Sequence, residues 1–151
     1  NLQDPIAHFD YSSILYCSNQ YQEAINGFKK VISLIRRKKR FSQNNSTITT
    51  TTTTTSLDNE NYIREVFLLY NAYNVIGKCY ESLGKNDRAI ASYTLALKIF
   101  RPSKSQDETT INWNYFNFGD CEDSLNDLLS VSTSNSQSSI NDNINNDNDS
   151  L

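Results

Sequence analysis

Residues 73–100 read YNVIGKCYESLGKNDRAIASYTLALKIF, and few folds can accommodate that stretch. Tyr73, Ile76, Gly77 and Tyr80 recur at spacings of three and four, which gathers them on one face of a helix. Gly84 follows Leu83 where that face ends, and glycine accepts the left-handed backbone that closes a helix. Asn86 or Asp87 can cap a second helix. Ala89, Tyr93 and Ala96 then recur on its inner face. Small side chains let two helix backbones approach, and aromatic rings fill the space beside each approach. The stretch predicts an antiparallel helical hairpin, and a chain arranged around it is all-α.

The flanks carry the same pattern with interruptions. A first helix is expected from about Asp4, which can cap it, with Pro5 suited to the first helical position. It ends near Ser18, and Asn19 and Gln20 turn the chain. A second helix resumes at Gln22 with Ala24, Ile25, Phe28, Val31, Ile32 and Ile35, and closes near Arg40. Its last turns hold Arg36, Arg37, Lys38, Lys39 and Arg40, cations that complement the C-terminal end of a helix dipole. Residues 42–56 are Ser, Gln, Asn and Thr with one Ile. Such a tract buries too little apolar surface to offset ordering entropy, so a disordered Thr-rich insertion is expected there. Helical periodicity returns near Asn59 and runs through Tyr62, Ile63, Val66, Phe67 and Tyr70 into the hairpin. Arg101-Pro102 stops the second hairpin helix. A weaker helix is expected over 106–118, a turn at Gly119-Asp120, and a last helix from about Glu122 to Val131. Residues 132–151 read as a disordered Ser/Asn/Asp-rich tail, leaving 1–131 as the folded domain.

The turn-and-helix openings align with one another. NQYQEAI, GKNDRAI and GDCEDSL place Ala24, Ala89 and Ser124 in one column, Phe28, Tyr93 and Leu128 in a second, and Val31, Ala96 and Val131 in a third. The first two openings are 65 residues apart and the last two 35. This pattern resembles the tetratricopeptide repeat (TPR), whose period is about 34 residues. Tyr73 stands for its Trp, Ile76-Gly77 for its Leu-Gly, Tyr80 for its Tyr, and Ala89 and Tyr93 for its Ala and Phe. Pro102 falls one place late. Ser12 and Asn112 occupy the Gly position of the other two repeats. The resemblance implies a TPR-like stack of antiparallel helical hairpins (an α-α superhelix) whose first helices line a concave, partner-binding surface.

In that register the concave positions are Phe9, Asp10, Ser13 and Tyr16, then Asn71, Asn74 and Lys78, then Thr109, Trp113 and Phe116. Aromatic side chains offer contact area at low entropy cost and amides can pair with a peptide backbone. The plainer alternative is that Phe9, Trp113 and Phe116 pack against neighbouring helices. Family members that clamp the carboxylate of chaperone tails use Lys and Asn in the first repeat, Asn in the second, and Lys and Arg in the third; this chain has Phe9, Ser13, Val75, Gln106 and Thr110 there, with no cation among them, so that ligand is not expected. Residues 36–40 could serve nuclear import, a phosphate contact or a membrane surface, against the plainer reading of a solvated helix end. Aromatic residues for single-strand binding are not interleaved with them.

Composition narrows the classes further. Residues 1–56 hold seven Lys/Arg against three Asp/Glu, a balance of +4, and residues 57–151 seven against fourteen, a balance of −7. An isoelectric point near 5.1 and a mean hydropathy of −0.60 do not suit a uniform polycation for nucleic acid. Cys17, Cys79 and Cys121 form no CxxC pair, and His8, the single histidine, stands at a packing position. No zinc site, cofactor or metal is therefore expected, and a reducing cytoplasmic or nuclear setting is. No secretory segment or membrane-length apolar run is present in the sequence. The four glycines are isolated, so no phosphate-binding loop is expected, and no catalytic constellation is evident. A chain that starts at Asn1 and holds no Met reads as a piece of something longer. The expectation is a non-enzymatic scaffold or adaptor that binds a partner peptide or helix within a multi-subunit complex. The alternative is a nuclear or nucleic-acid-associated factor using residues 36–40.

Overall fold

Helix ends set the frame. The computed structural model describes residues 3–44, 56–99 and 119–145. The Asp4 carboxylate accepts the Ile6 N–H at 3.0 Å, and Pro5 opens α1 (Pro5–Cys17). α1 closes at Asn19, which lies at φ 59°. The Gln20 N–H donates to the Leu15 carbonyl at 2.9 Å, and the Asn19 N–H to Tyr16 at 3.0 Å. α3 (Ser56–Ser82) closes the same way at Gly84, φ 67°, with Lys85 donating to Tyr80 at 2.8 Å and Gly84 to Glu81 at 2.9 Å. Both are Schellman turns, 65 residues apart, as the repeat alignment requires. α4 (Asn86–Ile99) differs from expectation by one residue at its start. The amides of Arg88 and Ala89 bond to the Lys85 carbonyl, so Lys85 holds the cap position and Asn86 is already helical.

Two hairpins follow from those turns. α1 packs on α2 (Tyr21–Asn44) and α3 packs on α4, while α3 also lies against α2 and, more lightly, α1. The aligned columns are buried alike: Ala24, Phe28 and Val31 in α2 and Ala89, Tyr93 and Ala96 in α4 are all 0% exposed. Each hairpin crosses where small residues meet. A Cβ on Gly27 would collide with the Ser12 hydroxyl, and one on Gly77 would lie 2.5 Å from the Tyr93 ring. The positions are equivalent, since Ser12 stands where Gly77 does and Gly27 where Ser92 does. Ser12 and Ser92 return their hydroxyls to the carbonyls of His8 and Arg88, at 2.6 and 2.8 Å, and so stay satisfied while buried.

α2 and α3 outlast their hairpin partners and run antiparallel. Lys29 meets Tyr80, Arg36 meets Tyr73 and Lys38 meets Glu65, so contacts climb α2 as they descend α3. Val31, Ile35 and Leu68 form a second apolar cluster along this extension. Both helices enter the expected insertion: α2 reaches Asn44 and α3 begins at Ser56, which leaves 45–55 outside the described residues.

α5 (Gly119–Asn145) departs furthest from expectation. Gly119 and Asp120 are its first residues, not a turn, and the helix passes Val131 to end within the expected tail. No Gly or Pro interrupts 120–145, and Ser130, Thr133 and Ser134 return their hydroxyls to backbone carbonyls of the preceding turn. The helix lays Cys121 and Leu128 against α4, with Ser124 and Leu125 half-buried between them. Ser124 is therefore not the equal of Ala24 and Ala89, because Cys121 makes the close approach. Glu122, Asp123, Asn126 and Asp127 face outward, so α5 covers α4 with a polar back. The helix expected over 106–118 lies outside the described residues.

Cys79 and Cys121 are buried and Cys17 is exposed. Burial pushes the Cys79 thiol from an ordinary 9.0 to about 11. It does the same to Cys121, against the lowering effect of Tyr70 and Lys78. One thiol per native molecule is expected to react quickly with iodoacetamide, and three after denaturation. Because the unfolded thiols lose protons first, stability is expected to fall as pH rises from about 9 towards 11, and less in the Cys79→Ser, Cys121→Ser double variant, by urea unfolding. Gly77→Ala gains about 1 kcal/mol in helix propensity but crowds the Tyr93 ring at a typical cost of about 1–3 kcal/mol. A net loss of unfolding free energy is expected, and a gain would mean that the two helices are not in contact there.

Candidate functional site

The α1–α3 face carries most of the described candidates. Phe9 sits edge-to-face on Phe28, with centroids 5.3 Å apart and planes at 71°, so it forms part of the wall between α1 and α2. Ser13 stands one turn further along α1 and donates its hydroxyl to the Phe9 carbonyl at 2.9 Å. Asp10 is exposed. Tyr16 is half-buried with its ring 6.0 Å from that of Tyr21, and burial raises its hydroxyl pKa. On α3, Asn71 returns its amide to the Phe67 carbonyl at 2.9 Å.

Asn74 behaves differently. Its side chain is 8% exposed, and its Oδ1 has no hydrogen-bond partner. Buried polar atoms are normally paired, and an orphaned acceptor costs about 1–3 kcal/mol. Along the same stripe of α3, Tyr70 hydrogen-bonds the Cys121 thiol and half-buried Lys78 acts on that thiol as well. Asn74 lies one turn from each of these two residues along α3. Thr109, Trp113 and Phe116 lie outside the described residues.

The basic run is divided by the helix. Lys38 pairs with Glu65 at 3.0 Å and, with Lys39, borders a small recess beside Tyr62 and Val66. Arg36, Arg37 and Arg40 turn the other way, into an open groove of about 640 Å³ between α2 and α4, floored by α3. Lys29 and Arg88 join them there, with Tyr73 and Tyr80 beneath. The Arg36 guanidinium donates to the Tyr73 hydroxyl at 2.8 Å, and the Lys29 ammonium to Tyr80 at 3.2 Å. Sequence reasoning grouped residues 36–40 by adjacency and missed Lys29 and Arg88. The missed signal in α2 is helical: Lys29, Arg36, Arg37 and Arg40 share one stripe. Arg88 comes from α4 and had no signal within α2.

Among the described residues no cluster of three or more His, Cys, Asp or Glu could hold a metal ion, and no helix is long and apolar enough to cross a membrane. Comparison with protein families matches residues 70–102 to the tetratricopeptide repeat model. Neither curated proteins nor solved structures gave a match to the chain. The matched segment runs from the stripe that carries Tyr70 and Asn74 through the Schellman turn at Gly84 and along α4. With this match, the paired helices and their equivalent turns, residues 70–102 are similar to a tetratricopeptide repeat within an all-α stack of hairpins.

Proposed function

We propose that the chain is a scaffold module that holds an extended segment of a partner protein against the face shared by α1 and α3. A tetratricopeptide repeat points to a protein-interaction module, and stacked hairpins leave their first helices side by side as a continuous surface. The observation that carries this reading is Asn74. Its side-chain oxygen is buried without a partner, and a backbone N–H of a bound peptide would satisfy it once the side chain rotates outward, since the oxygen has no exposed surface in the free protein. Asp10 and Tyr16 on α1 and Lys78 on α3 add polar and charged groups to the two helices, and Phe9 a fixed apolar wall. Phe9, Ser13 and Val75 stand where the chaperone-tail binders grip a carboxylate with Lys, Asn and Asn, so the segment is read as internal to its partner. The role is binding within a larger assembly, not catalysis.

Removing the unpaired acceptor separates binding from folding. Asn74→Ala is expected to weaken, by about tenfold, peptides selected from a random library on the wild-type protein, the equivalent of one hydrogen bond of about 1.4 kcal/mol. Its thermal midpoint by circular dichroism is expected to be unchanged or higher, since the variant removes a buried acceptor that makes no bond in the free protein. Undiminished affinity in Asn74→Ala would remove the α1–α3 face from consideration.

A further inference from the structure

We propose that the groove between α2 and α4 is a second binding surface, built for an acidic amphipathic peptide segment of a partner protein. It is independent of the reading above. Tyr73, Ile76 and Tyr80 leave α3 on the side away from Asn71, Asn74 and Lys78, so a ligand on one face does not occlude the other.

Charge is the first argument. Lys29, Arg36, Arg37, Arg40 and Arg88 converge on the groove, and among the described residues no acidic side chain lines it. On α3, Glu65 is engaged with Lys38 and Glu81 with the Tyr93 hydroxyl at 2.8 Å, while Asp87 adjoins Arg88 at the start of α4, outside the groove lining. The partners these cations do have are neutral. Arg36 lies 6.0 Å from the Tyr73 ring centroid, and Lys29 and Arg88 lie 5.8 and 5.7 Å from that of Tyr80. Tyrosine contacts hold Lys29, Arg36 and Arg88 in place without neutralising them, and Arg37 and Arg40 add charge at the exposed rim. A negatively charged ligand therefore meets pre-positioned guanidinium forks and loses less entropy on binding.

The floor supplies the second argument. Ile32, Ile76 and Leu95 lie between the cations, and Leu95 is 42% exposed. A ligand that fills the groove must offer apolar side chains to the floor and carboxylates to the rim, which is the pattern of an acidic amphipathic peptide. Nucleic acid fits less well. Tyr73 and Tyr80 are buried, with cations over the rings, so neither offers a free platform for a base.

The test uses the full chain and a short fluorescein-labelled peptide of alternating Glu and Leu, read by fluorescence anisotropy. Binding that weakens with added salt is expected. The Arg37→Glu, Arg40→Glu double variant should weaken binding at least about tenfold. Lys39→Glu, in the same run but turned away from the groove, should change it less than about twofold. Both arginines are exposed, so circular dichroism of the double variant should match the wild type. If it does not fold, Arg40→Ala alone should still show a loss that Lys39→Ala does not. Equal losses from the two sides of the run would overturn the proposal. So would tighter binding of a single-stranded oligonucleotide than of the peptide, or self-association in the absence of peptide that the double variant abolishes.

Discussion

The approach of Gly77 to the Tyr93 ring governs the rest of the structure. With hydrogen in place of a side chain at Gly77, the ring lies directly on the α3 backbone and is fully buried. Its hydroxyl still reaches the Glu81 carboxylate at 2.8 Å, so a large polar-tipped residue is buried without an orphaned group. The Tyr93 carbonyl in turn receives the Cys121 thiol at 3.8 Å. One residue of α4 thus joins α3, α4 and α5, and the separation of all three follows from the space that glycine leaves.

α3 is the shared wall of the fold, and its sides have divided roles. Tyr73, Ile76 and Tyr80 support the cationic groove, while Tyr70, Asn74 and Lys78 lie on the other side of α3, where Tyr70 and Lys78 approach Cys121 of α5. Both sides hold polar groups in mostly apolar surroundings, but the chemistry differs. In the groove the tyrosine hydroxyls are already bonded to cations, and what is left over is positive charge. On the other side what is left over is a single hydrogen-bond acceptor. A repeat stack makes this possible because each inner helix is supported by both neighbours and still presents residues to two open surfaces.

Local features were legible and long-range ones were not. The Asp4 cap, the turns at Asn19 and Gly84, and the buried columns of the two hairpins are written in residues a few positions apart, and the structure places them where that pattern predicts. The last helix was misread because Gly119 suggested a turn and Ser-Asn composition suggested disorder. Without Gly or Pro beyond that point the backbone ladder continues, and Cys121 rather than Ser124 meets α4. Asn74 could be named from the repeat register, but its unpaired oxygen could not, since pairing depends on which helices surround it.

The sequence by itself determined the helices, their closing turns and the small residues at which they cross, because each depends on backbone preferences and periodicity within one or two turns. Only the tertiary structure decided how the basic run is shared between two sides of α2, and that Arg88 from α4 completes one of them. It also decided that Tyr73 and Tyr80 lie beneath those charges. Such a surface is created by the distance and rotation between helices, which depend on the side-chain volumes packed between them, and linear order does not encode that quantity locally.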